Sequence, residues 1–272
     1  MADWLEIHRG TAPLIVSFPH AGADIPAGIE ATLANGWLAR KDADWWVDRL
    51  YAFAHDMGAT TIRTRLSRTV IDVNRDSSGA SLYPGQATTG LCPVETFDGE
   101  PLYPGAEPDN AEIARRRALY FDPYHAALSA EIDRLRGDHP AIVLYDAHSI
   151  RSHVPRLFDG ELPQFNIGTN MGMSCATALA AAVEGICDTS PFSRVTDGRF
   201  RGGWITRHYG APQKGIHAIQ MELACRGYMV EPAGAFTTLN WPSPFDPERA
   251  APLAAVLQQV LAACIAFAGD QA

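Results

Sequence analysis

Two histidines stand where an α/β protein would put reactive groups. Ser17-Phe18-Pro19-His20-Ala21-Gly22 places a histidine just past an apolar run and a proline, beside a permissive glycine. Asp146-Ala147-His148-Ser149 places a second one just past Ala141–Tyr145. Open α/β sheets build their binding crevices at such strand ends. Either stretch alone also reads as a turn, because loop histidines often serve only as hydrogen-bonding groups. Asp146 can orient a ligating His148 or simply cap the turn after it. Asp42-Ala43-Asp44-Trp45-Trp46-Val47-Asp48 adds acids near a helix start, where they stabilise the helix dipole without any catalytic role. Together, two strand-end histidines and one acid supply the His₂-carboxylate set of a catalytic zinc site with a coordination position left open.

Two further stretches fit around such a centre. In Ser67-Arg68-Thr69-Val70-Ile71-Asp72-Val73-Asn74-Arg75 an apolar strand is flanked by two arginines, with an asparagine beside the second. Planar guanidinium forks in that setting suit a carboxylate, although a surface strand with solvated arginines has the same pattern. Glu222 lies inside the apolar run Ile219 to Ala224. An unpaired carboxylate buried there is costly, so it has either a task or a partner, Arg226 being the nearest.

The elements that must position these groups alternate between strand and helix. Leu14–Phe18, Thr60–Thr64, Thr69–Val73, Ala141–Tyr145 and His217–Leu223 read as strands. Asp44 to Met57 has helical spacing and ends at Gly58. Asp109 with Glu112 predicts a capped helix to about Leu119, with a second helix restarting at Pro123 and running to Leu135. Ala176 to Val183 is helical. A closing helix begins at Asp246-Pro247 or at Pro252, with Leu253, Val256, Leu257, Val260, Leu261 and Cys264 on one face. Residues 79–108 are rich in Gly and Pro without a sustained period, and long irregular segments in compact domains are often functional. With no repeat or linker, the order of elements predicts one α/β domain over residues 1–272 with a mixed, largely parallel sheet.

Composition narrows the partners. The 272 residues carry 22 Lys+Arg against 31 Asp+Glu, a net charge of −9, with 47% hydrophobic and 19% charged residues. The one basic cluster, Arg115-Arg116-Arg117, is too short to make nucleic acid or an anionic membrane the partner of an acidic chain. The first residues lack a basic segment followed by an apolar stretch, and no uninterrupted apolar run approaches the ~20 residues of a membrane span. Five cysteines without a C-x-x-C pair read as idle thiols of a reducing cytoplasm.

In combination these stretches resemble the N-formylglutamate amidohydrolase family. The likeness runs from Pro13 to about Met229. Its pieces are Ser-Phe-Pro-His-Ala-Gly at 17–22, Asp44-Trp45, Val-Ile-Asp-Val-Asn-Arg at 70–75, Ser-Leu-Tyr-Pro-Gly-Gln at 81–86 and Thr-Gly-Leu-Cys-Pro at 89–93. Asp-Ala-His-Ser-Ile-Arg-Ser at 146–152, Val-Pro-Arg-Leu-Phe at 154–158, Gly-Arg-Phe-Arg-Gly-Gly-Trp-Ile-Thr-Arg at 198–207 and His-Ala-Ile-Gln-Met-Glu-Leu at 217–223 complete it. Each piece is weak; all of them in this order are specific. The family looks like a branch of the zinc carboxypeptidase and aspartoacylase-type hydrolases. The implied fold is therefore a mixed sheet flanked by helices, zinc-carboxypeptidase-like (phosphorylase/hydrolase-like). His20, His148, Asn74-Arg75 and Glu222 match the motifs of those relatives. Position 23 is alanine where the wider group has its glutamate ligand, so the third ligand comes from elsewhere. Asp44 is the choice, with Asp48 and Asp24 as alternatives.

The resemblance implies hydrolysis of N-formyl-L-glutamate to formate and L-glutamate, a closing step of histidine breakdown. His20, Asp44 and His148 would hold Zn²⁺, and such a set also accepts Mn²⁺, Fe²⁺ or Co²⁺. Glu222 would move the protons, Arg68 would face the charge that develops on the formyl oxygen, and Asn74 with Arg75 would bind a substrate carboxylate. The substrate is a dianion, so a second cation is needed; Arg151, Arg207 and Arg226 are the unranked candidates. Rival readings are an N-acyl amino acid hydrolase with another acyl group or amino acid, a serine hydrolase using Ser149 or Ser174, and a metabolite-binding protein without turnover. Oligomeric state is not legible.

Overall fold

Among the described residues seven strands pair into one sheet, in which the apolar runs of Leu14–Phe18, Ile142–Ile150 and Ile216–Ala224 are short and separated by segments long enough to cross over. They are β1 (Leu5–His8), β2 (Leu14–Phe18), β3 (Thr60–Thr64), β4 (Ile142–Ile150), β5 (Phe165–Gly168), β6 (Arg194–Thr196) and β7 (Ile216–Ala224). The helices are α1 (Ala27–Glu30), α2 (Val47–Leu50), α3 (Asn110–Arg116), α4 (Asp122–Asp138), α5 (Thr177–Asp188), α6 (Trp204–Tyr209) and α7 (Pro247–Gly269). The structure, a computed structural model, describes residues 3–82, 85 and 88–270. Tyr83, Pro84 and Gln86 of the 81–86 motif, and Met1-Ala2, lie outside the described residues.

The strand order is β1-β3-β2-β4-β7-β5-β6. The four central strands β3, β2, β4 and β7 run parallel to one another, β5 and β6 are parallel to each other, and the β1–β3 and β7–β5 pairs are antiparallel. The mixed, largely parallel sheet expected from the order of elements is thus what forms. β2 and β4 are buried along their whole length, as parallel strands covered on both faces must be. Along β4 the odd positions Val143, Tyr145 and Ala147 join the core under α5 and α7, and Ile142 and Leu144 join the core under α4.

α7 begins at Pro247, where Asp246 accepts bonds from the Glu248 and Arg249 amides at 3.1 and 3.0 Å. Pro252 sits inside the helix. Leu253, Leu257, Val260, Leu261 and Cys264 are buried in the core and Val256 is half-buried. Among the described residues α7 is the single helix long and apolar enough to cross a membrane; its apolar face lies against the sheet and α5. All five cysteines are buried free thiols.

Four expectations need correction. Thr69–Val73 is not a strand: β1 and β2 occupy both edges of β3, so the next apolar run curls into turns, with Val70 N bonded to Ser67 O and Arg75 N to Asp72 O. The helix over Asp44–Met57 shrinks to α2 and a short 3-10 turn at Ala52–Ala54, because Trp46 takes a left-handed conformation (φ 63°). Asp109 caps α3 as expected, but no break precedes Pro123. One π turn, Arg117–Phe121, widens the helix and joins α3 to α4, which accommodates the ring and the missing N–H. Finally, β4 does not stop at Tyr145. β7 pairs with it from Ile142 to Ile150, so Asp146 and His148 lie within a strand rather than past its end.

His125 ties α4 to the site-bearing loops: Nε2 donates to Val73 O and Nδ1 accepts from the Tyr209 hydroxyl, both at 2.9 Å. Burial pushes its pKa down to about 4. Between the unfolded value near 6.5 and that lower one, the unfolded chain holds a proton the folded chain refuses, so stability falls as pH drops through this window. We expect His125 to contribute a loss of about 3 kcal/mol between pH 6.5 and 4, absent in His125→Gln. Denaturant unfolding at several pH values checks this; parallel pH curves for the two proteins refute it.

Candidate metal centre

His20 follows β2 through Pro19, and its carbonyl accepts the Asp44 amide at 3.0 Å, which fixes the two loops together. A side chain at Gly22 would place Cβ 2.2 Å from the Arg65 carbonyl carbon, so glycine is required where this loop crosses the end of β3. His148 arrives from β4 beside them. The two imidazole centroids are 4.8 Å apart.

Each ring is held from behind by a carboxylate. His20 Nε2 donates to Asp72 Oδ1 at 2.7 Å, and His148 Nε2 lies 3.0 Å from Asp146 Oδ2. Both Nδ1 atoms are thereby turned toward Asp44 Oδ2, at 3.8 Å from His20 and 3.0 Å from His148. His20 Nδ1 is buried and has no hydrogen-bond partner among the described residues. The three candidate ligand atoms lie within 4.8 Å of one another. Two ring nitrogens and a carboxylate oxygen, each imidazole backed by a carboxylate, are the donor set and outer shell of a three-ligand metal site. The orphaned nitrogen is what such an ion would satisfy.

The electrostatics agree. Burial, followed by the nearby Arg68 cation, lowers the His20 pKa, with Asp72 and Asp44 opposing. Burial acts the same way on His148, but Asp146 and Asp44 outweigh it and hold that ring well above its ordinary value. Glu222 is pushed up to about 8, by burial first and then by Asp44 and Asp146, against His148 and Arg68. Asp44 and Asp146 thus act on both His148 and Glu222 in the direction of protonation, and a cation at this spot would offset the field of those two acids.

The remaining groups surround one pocket of about 600 Å³, its open mouth included. Arg68 donates to Asp72 Oδ2 at 2.7 Å, lies 3.9 Å from Asp44 Oδ1 and rests over the Phe97 ring at 4.8 Å. Arg75 reaches Thr89 O and Oγ1, both at 3.0 Å, and lies 3.7 Å from Asp72 Oδ2. Asn74 donates Nδ2 to Asp146 Oδ2 at 3.0 Å and accepts the Ile205 amide at 2.7 Å. Glu222 stands opposite His148 in the β4–β7 register, and Gln220 Nε2 is 3.4 Å from its Oε2. Thr88, Thr89 and Phe97 of the irregular 79–108 segment also line the pocket.

The structure therefore brings His20, Asp44, His148, Arg68, Asn74, Arg75 and Glu222 together. It separates the alternatives. Asp48 pairs with Arg63 at 3.0 Å and Asp24 with Arg65 at 2.8 Å. Arg226 does not pair with Glu222; it reaches Ser152 Oγ at 2.9 Å and Glu161 at 3.4 Å. Arg151 bridges Asp42 and Asp98, and Arg207 holds the Gly202 and Leu82 carbonyls. None of these three arginines lines the pocket, whereas Arg199 does. Ser174 donates to Ala218 O away from the pocket; Ser149 lines it, but the imidazole nitrogens of His148 are turned to carboxylates. Asp72, Gln220 and Arg199 were not anticipated. Asp72 carries the signal that marked Glu222, an acid flanked by Ile71 and Val73, and it is fully buried.

Fold and pocket define an α/β protein whose strand ends converge on a buried candidate metal centre beside one carboxyl of raised pKa. The chain belongs to the N-formylglutamate amidohydrolase family, whose profile matches residues 12–229. It is 43% identical over 273 residues to the N-formylglutamate deformylase of Pseudomonas aeruginosa, covering 100% of this chain and 99% of that one. It is also 43% identical over 269 residues to that of Pseudomonas putida, covering 98% and 97%. The crystal structure of N-formylglutamate amidohydrolase from Ralstonia eutropha JMP134 superposes with a TM-score of 0.74 at 21% identity, over 97% of this chain and 96% of that chain. That last likeness shows the fold.

Elemental analysis and calorimetric titration of the purified protein should find one divalent ion per chain. Asp44→Ala should lose it, Asp72→Asn should weaken it by roughly ten- to a hundredfold, and Asp48→Ala and Asp24→Ala should keep it. Retention of the ion by Asp44→Ala sinks the assignment.

Proposed function

We propose that the protein is a metal-dependent amidohydrolase that cleaves N-formyl-L-glutamate to formate and L-glutamate. The observation that carries this reading is the cluster of His20, Asp44 and His148, whose two histidines line one pocket with Glu222 and Arg68. The names of the relatives at 43% identity support the substrate. In that reading His20, Asp44 and His148 hold Zn²⁺ or another divalent ion, which when bound acidifies water and polarises a carbonyl.

The chain's own groups do the rest. Glu222 accepts the proton of the attacking water at a carboxylate oxygen and delivers one to the departing amide nitrogen. Burial, with Asp44 and Asp146, pushes this carboxyl up to about 8, which suits it to take up and release a proton near neutral pH. Arg68, oriented by Asp72, faces the negative charge that develops on the formyl oxygen. Asn74 and Arg75 receive one substrate carboxylate. Local arginines thus suit a small dianion to a chain of net charge −9. The reaction would close histidine breakdown in the cytoplasm, with neither nucleic acid nor membrane as partner.

Formate release is the direct assay. Glu222→Gln should lower kcat by roughly a hundred- to ten-thousandfold while still binding metal and substrate. Chelation should abolish activity and divalent ion restore it, whereas serine reagents should have no effect. A protein that binds N-formylglutamate but never releases formate is the non-catalytic binder. Faster turnover of acetyl- or succinyl-amino acids in a substrate panel would assign the pocket to another acyl group.

A further inference from the structure

An N-formylated acidic amino acid brings two carboxylates, and Asn74 with Arg75 accounts for one. Arg68 and Arg75 both lie against Asp72 Oδ2, at 2.7 and 3.7 Å. Arg68 also lies 3.9 Å from Asp44 Oδ1 and faces the formyl oxygen in the proposed reaction, which leaves Asn74 and Arg75 for a single carboxylate. A second anionic group requires a cation from another segment. Among the described residues three arginines line the pocket, and Arg199 is the third.

Its loop is well anchored. Asp197 (φ 50°) turns the chain out of β6, and Gly202 (φ 107°) turns it back. The Gly203 amide then donates to Gln220 Oε1 and the Ile205 amide to Asn74 Oδ1, both at 2.7 Å. A Cβ at Gly203 would come 2.4 Å from Asn74 Nδ2, so the loop seats directly on the site. Arg199 donates Nε to Leu157 O at 2.8 Å, and its guanidinium lies 5.4 Å from the centre of the Phe200 ring. Such restraint orients the planar head, whose fork geometry matches a carboxylate. Phe97, Ile150, Leu157 and Phe200 supply apolar pocket surface suited to the methylenes that separate two acids.

We propose that Arg199 takes the side-chain carboxylate of the substrate and makes the pocket selective for N-formylated acidic amino acids over their neutral isosteres. This assignment rests on the deformylase reading. The test compares kcat/KM for formate release from N-formyl-L-glutamate and N-formyl-L-glutamine in wild type, Arg199→Met, Arg199→Gln and Arg199→Lys. Wild type should prefer the glutamate compound, and Arg199→Met should shrink that preference roughly thirtyfold or more, chiefly through KM. Arg199→Lys should recover part of it. Equal loss on both substrates, as a purely structural arginine would give, overturns the inference, as does an unchanged preference. If Arg199→Met does not fold, Arg199→Gln and Arg199→Lys decide by the same ratio. A wild type inert toward both compounds sinks the deformylase reading and this inference with it. A wild type active on N-formylglutamate whose preference ignores Arg199 sinks the inference alone.

Discussion

One buried carboxylate holds the site in place. Asp72 accepts His20 Nε2 and the Asn74 amide on Oδ1, and Arg68 on Oδ2, with Arg75 close by. Removed from water, that charge is tolerable only because these donors surround it, and they hold its pKa well below the carboxylate range despite burial. The same bonds set the His20 tautomer, aim its Nδ1 at Asp44 and turn Arg68 into the pocket. His20, Arg68 and the backbone of Asn74 therefore share one anchor.

Around that anchor the fold divides its labour. The paired strands β4 and β7 fix His148 and Glu222 relative to one another through backbone register, and β2 leads into the loop that carries His20. The loops after β2, β3 and β6 bring Asp44, Asp72 and Arg199 to them. Strands thus hold His148 and Glu222, and loops bring the remaining side chains to them, a common arrangement in α/β proteins.

Much of this was legible in the residues. Apolar runs revealed β2, β4 and β7, because buried parallel strands leave continuous hydrophobic stretches, whereas β3 reads as a strand with Ile62 as its one apolar residue. His20, His148 and Glu222 stood out as polar groups in or beside such runs. Thr69–Val73 misled, since burial alone cannot tell a strand from a curled loop when the sheet edge is already taken. Asp146 and His148 lay inside a strand for a related reason: the length of β4 is set by its partner β7, not by its own composition. Arg199 was hidden because nothing local in the sequence distinguishes a pocket arginine from Arg151, which is buried in ion pairs with Asp42 and Asp98. Only the three-dimensional route of the loop separates them.

The candidate metal centre and its partners draw on residues 20, 44, 72, 146, 148 and 222, so no single contiguous stretch of the chain contains the whole of it. Its assembly waits on pairings between distant segments, which makes it a late product of folding. An ion that recognises only the completed arrangement would draw the folding equilibrium toward the native state, with chelation relaxing the entire sheet rather than one corner of it.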